Sequence, residues 1–245
     1  MSHFIALTCS ALARSVYAAA AVADAAVTVR LFDQGLHNAP RNLRARLQAA
    51  VDAVQPGECD AILLAYGICG AGTVGLTARH TSLVLPRAHD CITLYLGSKE
   101  RYQAEFDAHP GTYWYSQDYL ERNPTSAVAL GAASIEVSEA LYQSYVEKYG
   151  QDNADYLMEV MGEWGSHYDR AVYLDTGLTS GASFETLARE QAERRGWTFE
   201  RKPGDRRLID KLVNGAWTDD EFLVVPPDHQ IALSGDSGLI QAALK

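Results

Sequence analysis

The sequence predicts an α/β fold on a mostly parallel sheet with helices on both faces, Rossmann-like or flavodoxin-like. Short apolar runs carry that reading: HFIALTC (3–9), AVTVRLF (26–32), DAILLAY (60–66), SLVLP (82–86) and RAVYLD (170–175). They are rich in Val, Ile and Leu and barely alternate, as suits strands buried on both faces of a parallel sheet. Helical stretches separate the first three runs, which makes a β-α-β-α-β opening.

The first of those helices is expected within SALARSVYAAAAVADA (10–25). The second is PRNLRARLQAAVDAVQ (40–55), with Pro40 at the first helical position and Gly57 just past the end. Further helices are expected at 98–108, 136–149 and 151–163. SFETLAREQAERRGW (183–197) has the clearest start and stop, with Ser183 as cap, Glu185 and Glu190 inside and Gly196 at the end. A short helix at 205–213 precedes EFLVVPP (221–227), the expected last strand. One α/β domain over 1–245 is the expected organisation, with a more helical insertion near 98–165 and a two-lobe arrangement as the alternative.

Composition narrows the function classes. With 47% apolar and 21% charged residues the 245-residue chain has the make-up of a soluble globular protein, long enough to bury a core without metal or disulfide support. The 21 basic and 31 acidic residues give a net charge of −10, which disfavours nucleic acid or an anionic membrane as partner. No apolar run reaches the about 20 residues of a membrane span. The N-terminal segment lacks a basic start and is interrupted by Arg14, so it does not read as a secretion leader. A cytoplasmic location is expected, where Cys9, Cys59, Cys69 and Cys91 would be reduced thiols.

The chemistry-bearing residues fall just after strands. Cys9 ends the first, Asp33 and His37 follow the second, Cys69 follows the third in AYGICG, His89 and Cys91 follow the fourth in LVLPRAHDC, and Asp175 ends the fifth. On one parallel sheet all would share the carboxyl edge, where ligands bind. Cys59 precedes its strand and is expected at the opposite edge as a bystander. Thiolates and neutral imidazole suit a borderline-soft cation, zinc first and iron second. In an extended segment His89 and Cys91 would leave on the same face. The expected ligands are therefore Cys69, His89 and Cys91, with Cys9 or His37 beside them. His37 and Asp175 are candidates for proton handling, Gly67 and Gly70 for close backbone approach to a ligand, and Arg87 for holding a carboxylate.

Two rivals have weaker support. GAGTVG (70–75) matches G-x-G-x-x-G, but about six residues to the next strand leave no room for the helix that would bind a pyrophosphate. A metal-free thiolate–imidazole pair, Cys69 or Cys91 with His89 oriented by Asp33, Asp90 or Asp175, is compatible with the spacing. The aromatics of HPGTYWYSQDYLE (109–121) are expected in a core. Glu163 and His167 are read as part of a surface connection.

CSAL (9–12), LHNAP (36–40), YGICG (66–70), HDC (89–91) and PGTYW (110–114) together resemble the bacterial and archaeal family labelled domain of unknown function 1638, over most of residues 3–180. The chain departs from the family pattern at Ser10, where Gly is common, and in RAHDC, where His directly followed by Cys is common. The resemblance implies an association with corrinoid-dependent methyltransferases, hence methyl or one-carbon transfer. It also brings to mind the zinc sites of methyl-accepting enzymes, which bind a thiol as thiolate. No Asp-x-His-x-x-Gly corrinoid motif is present, so a corrinoid would arrive on a partner protein. Zinc-dependent group transfer on a small molecule is thus the expected function. A non-catalytic metal or corrinoid carrier and a metal-free cysteine hydrolase or transferase are the alternatives.

Overall fold

A computed structural model of the chain describes residues 1–122, 143, 146, 147, 150–153, 167–235 and 238–245. The helices expected at 136–149 and 151–163 lie outside the described residues, except for the helical positions 143, 146, 147 and 151–153. Glu163 lies outside them too. The chain divides into two compact units, residues 1–104, 176–180 and 203–245 in the first and 105–175 with 181–202 in the second.

The first unit opens with β1 (His3–Cys9), α1 (Ala13–Ala21), β2 (Ala26–Phe32), α2 (Pro40–Asp52), β3 (Ala61–Ala65) and β4 (Leu83–Pro86). It continues through α3 (Cys91–Leu96) and α4 (Lys99–Ala108), the latter running across the boundary between the units. Strands β1, β2, β3 and β4 are parallel in the order β2-β1-β3-β4, and the edge beyond β4 is taken by antiparallel β8 (Phe222–Val225). The fold is α/β, as the apolar runs predict. Every residue of β3 and β4 is buried, whereas edge strand β2 alternates between exposed and half-buried.

Helix α2 starts with Pro40 at its first position, where a missing N–H costs nothing, and buries Leu43, Leu47 and Val51, a stripe of i, i+4, i+8. Helix α7 (Arg207–Val213) buries Leu208, Ile209, Leu212 and Val213 and packs on α1, β3 and β4. A two-stranded antiparallel ribbon, β9 (His229–Leu233) with β10 (Ile240–Leu244), follows β8. The sequence reading stops at β8 and misses this ribbon. Among the described residues no helix is long and apolar enough to cross a membrane.

Arg87, expected to hold a substrate carboxylate, is bonded to the C-terminal segment. Its Nε donates to the Asp219 carbonyl at 2.7 Å, and Nη1 donates to the carbonyls of Gly238, at 2.8 Å, and Ile240. A guanidinium spread over three carbonyls of the C-terminal segment is a clamp on the fold, made by Nε and Nη1.

The second unit holds β5 (Thr112–Ser116), α5 (Gln117–Glu121), β6 (Arg170–Asp175), α6 (Ala182–Arg195) and β7 (Thr198–Pro203). Its three strands form a sheet of their own, ordered β5-β6-β7, with β5 and β6 parallel. Tyr113, Tyr115, Leu120, Ala171, Tyr173, Ala188 and Ala192 build its core, so the aromatics of 109–121 are core residues as expected. Helix α6 begins one residue before Ser183: its N-cap is Gly181 at φ 55, with no side-chain cap, because the chain enters through a left-handed turn. Gly196 closes it at φ 70 as expected. Strand β6 being part of this second sheet, the shared-edge argument does not apply to Asp175. That carboxylate is paired with the Arg201 guanidinium.

Candidate functional site

In the strand order β2-β1-β3-β4 the chain reverses direction across the sheet between β1 and β3. In flavodoxin-like sheets the crevice outside the carboxyl ends at that switch point is where ligands bind. Cys9 is the last residue of β1, and Tyr66 follows the last residue of β3, three positions before Cys69. A short 3₁₀ turn, Ser10–Leu12, leads from Cys9 into α1, and the Ser10 hydroxyl accepts from the Gln34 amide at 3.0 Å, tying the end of β1 to the end of β2.

The loop after β3 is held against the segment after β4. Ile68 N–H donates to the Ala88 carbonyl at 2.9 Å and Cys69 N–H to the His89 carbonyl at 3.0 Å. This approach explains Gly67: a Cβ there would stand 2.6 Å from both Cα and N of Asp90. The residue expected to admit a ligand instead admits the neighbouring backbone. Cys69, Gly70 and Ala71 then take consecutive left-handed conformations at φ 49, 60 and 67. For Cys69 and Ala71 that is a strained region, costing on the order of 1 kcal/mol or more each. The turn is pinned by Arg44 Nη2, which donates to the Ala71 carbonyl at 3.1 Å, and by the Thr73 hydroxyl, which donates to the Gly67 carbonyl at 3.2 Å. Gly70 is exposed and serves this turn.

The structure separates His89 from Cys91. Asp90 is extended but caps α3, its carboxylate accepting from the amides of Ile92 at 2.9 Å and Thr93 at 3.3 Å. Cys91 is therefore the first helical residue and is buried, while His89 is exposed with its ring stacked on Tyr102, centroids 5.8 Å apart. The same-face argument fails because the extended segment ends one residue too early.

What remains electrostatically coupled is a set of three buried thiols. Burial pushes the Cys9 thiol up to about 11 and also raises those of Cys69 and Cys91 well above the usual thiol value. After burial, charge on one sulfur opposes charge on the next: Cys9 acts on Cys69, and both act on Cys91. Asp33 adds to this at Cys9, and Asp90 at Cys69 and Cys91. Asp90 is itself raised by burial, offset in part by the two α3 amides it caps. The thiols therefore stay protonated at neutral pH unless a cation compensates.

Tyr66 stands in the same field. Its hydroxyl is raised by burial and then by Cys9, Cys69 and Asp33; the residue is 1% exposed and the oxygen has no hydrogen-bond partner. A buried hydroxyl left unpaired costs about 1–3 kcal/mol. The sequence reading quotes Tyr66 without singling it out. A polar aromatic closing an all-apolar strand directly before a glycine was the available signal. His37 lies on the 3₁₀ turn Gln34–Asn38 after β2, and burial lowers its pKa, so its imidazole is neutral at pH 7. Cys59 precedes β3, at the other end of that strand from Cys69, with Glu58, Asp60 and Arg30 as its charged neighbours.

Among the described residues no three His, Cys, Asp or Glu side chains, as placed, form a group that could hold a metal ion. Beside the Cys69 turn a surface cavity of about 480 Å³ is lined by Ala39, Pro40, Arg41, Asn42 and Arg44. Pro40 is the nearest neighbour of the Cβ position at Gly70, so this cavity adjoins the turn.

The family of proteins of unknown function DUF1638 matches residues 31–213 of this chain. The chain belongs to that family. No curated protein and no solved structure matches it.

Proposed function

We propose that this DUF1638 protein is a zinc-dependent group-transfer enzyme in which Cys9, Cys69 and Cys91 supply the metal ligands. One observation carries the reading: three buried thiols follow three adjacent parallel strands at one sheet edge, with Cys9 opposing the ionisation of Cys69 and both opposing that of Cys91. Three cysteines are a donor set suited to zinc, with iron as the second choice. A cation among them removes the mutual repulsion and lets the sulfurs ionise. The side chains have to draw together on binding, and the strained turn at Cys69–Ala71 is where the chain would yield. With His89 facing solvent, three ligands leave one position open, which favours an enzyme over a closed structural or carrier site.

Bound zinc would supply Lewis acidity and hold a substrate thiol or amine ready for transfer. His37, neutral and half-buried after β2, would accept the proton that the substrate loses. A methyl or other one-carbon group is the proposed cargo, exchanged with a corrinoid protein or methyltransferase partner; the family resemblance supports that choice. The raised thiols weigh against a metal-free cysteine nucleophile, which needs a lowered pKa.

Elemental analysis of wild type beside Cys9→Ser, Cys69→Ser, Cys91→Ser and Cys59→Ser tests the reading. About one zinc or iron per chain is expected in wild type and Cys59→Ser, with loss in the other three. Full metal content in Cys91→Ser, or none in anaerobically purified wild type, rejects it.

A further inference from the structure

We infer that the cavity at the start of α2 binds the phosphate group of a small molecule, with Arg41 and Arg44 as its counter-charges. The site uses none of the three cysteines, and the inference holds whether or not they take up a metal.

The cavity of about 480 Å³ lined by Ala39, Pro40, Arg41, Asn42 and Arg44 has the size of a small-molecule site. Its wall carries two guanidiniums and no carboxylate, in a chain of net charge −10. Arg30, Arg79 and Arg201 each pair with a carboxylate, but neither Arg41 nor Arg44 meets one among the described residues. Arg44 is the stronger sign. It is half-buried, its Nη2 donates to the Ala71 carbonyl at 3.1 Å, and its Nε is buried with no hydrogen-bond partner. A buried donor left unpaired costs about 1–3 kcal/mol, and more when it is charged. One neutral carbonyl does not balance the charge of a guanidinium, whereas an anion in the cavity would. The 13-residue helix α2 adds to the same field. Its N-cap, Ala39, offers no side-chain cap, so the roughly +0.5 elementary charge of the helix start is left to a ligand. Two guanidiniums and this partial charge suit a dianion better than a single charge, which selects phosphate over carboxylate. The Asn42 side chain can donate to a further oxygen.

The test titrates isotope-labelled wild type, Arg41→Gln and Arg46→Gln with inorganic phosphate, at an ionic strength held constant with sodium chloride, and follows the backbone amides of residues 39 and 41–44 by NMR. Arg41 is exposed, so its loss should spare the fold, whereas Arg44 also holds the Ala71 carbonyl. Arg46 is the control: it is exposed on the same helix but does not line the cavity, and its variant removes the same charge. Saturable shifts are expected in wild type and Arg46→Gln at equal affinity. Affinity should be about tenfold lower in Arg41→Gln, the loss of one charge-assisted contact, and acetate should bind wild type more weakly than phosphate. Absence of saturable shifts at millimolar phosphate overturns the inference. So does unchanged affinity in Arg41→Gln, or an equal loss in Arg46→Gln, which would reduce the effect to overall charge. Acetate bound as tightly as phosphate overturns the assignment to phosphate.

Discussion

The amide of Cys69 donates to the carbonyl of His89 at 3.0 Å, and through that bond the loop after β3 and the segment after β4 become one surface. Two cysteines 22 positions apart in the chain are thereby referred to a common backbone frame, Cys69 in the left-handed turn and Cys91 at the first position of α3. Cys9 joins them because β1 is the neighbour of β3. The thiol set is thus a product of sheet order and one loop contact, and substitutions in the contact should separate folding from chemistry.

Gly67→Ala tests that contact. Its new Cβ would meet Asp90 Cα and N at 2.6 Å and the Ala88 carbonyl at 2.9 Å, all backbone atoms that cannot swing aside. A loss of about 1–3 kcal/mol in folding stability is expected from overpacking of this kind, together with altered spacing between Cys69 and Cys91. Gly57→Ala is the control: Gly57 has a positive φ of 78 but a Cβ there meets nothing within 4 Å, so it should lose only about 1 kcal/mol to backbone strain. Urea denaturation of both variants checks the order.

The thiols make stability depend on pH with a definite sign. In the metal-free native state Cys9 keeps its proton up to about 11, while an unfolded thiol loses it near 9.0. Between those values the native state binds more protons, so stability falls as pH rises, by about 1.4 kcal/mol per pH unit for each such group. Denaturation of metal-free protein at pH 7.5, 9 and 10 should show constant stability below 9 and a decline above it, reduced in Cys9→Ser. With metal bound the native ligands have already lost their protons, so stability should instead rise with pH toward 9. A flat metal-free profile through pH 10 contradicts the burial argument.

How much of this was legible in the sequence depends on the range of the interaction involved. The strands at 3–9, 60–66, 82–86 and 170–175 could be read because burial leaves a nearly unbroken apolar run, that at 26–32 from its Val, Leu and Phe although it is a half-exposed edge, and Pro40 and Gly196 because each answers a local backbone need. Membership of one sheet could not be read: RAVYLD is as apolar as LVLP, yet it pairs with TYWYS in a second sheet. Strand β5 was hidden because its aromatics also suit a turn region or a core, and β9 and β10 because their residues are only partly buried. Within the site, the placement of Cys9, Cys69 and Cys91 follows from strand ends, which the sequence marks. The loss of His89 follows from Asp90 acting as a helix cap, a one-residue decision between extended and helical backbone. The Arg87 clamp depends on carbonyls more than 130 residues away, which no local pattern announces.

Arg87→Ala should therefore weaken the fold and spare the site. Its guanidinium serves the carbonyls of Asp219, Gly238 and Ile240, and truncation leaves these acceptors without their charged donor. The expected cost is about 1.5–3 kcal/mol, the range for hydrogen bonds to charged groups. Metal content per folded chain should not change. A variant that keeps full stability and loses affinity for a carboxylate substrate would return Arg87 to the binding role that its sequence position suggested.

His37 and Asp175, paired by sequence reasoning as proton handlers, should behave differently. Asp175 is tied to Arg201, whose side chain is half exposed, and an ion pair of that kind contributes about 0–1 kcal/mol. Asp175→Asn should therefore leave stability and metal content close to wild type. His37 has its pKa lowered by burial, so the native state resists protonation where the unfolded chain accepts it near 6.5. Below that pH the unfolded state binds more protons, and stability is lost as pH falls through it. Imidazole titration by NMR should place His37 below 6.5, and His37→Gln should flatten the acid side of the stability profile between pH 6.5 and 5. An imidazole that titrates above 6.5 would mean a charged partner at His37 and would remove it as the proton acceptor of the transfer reaction.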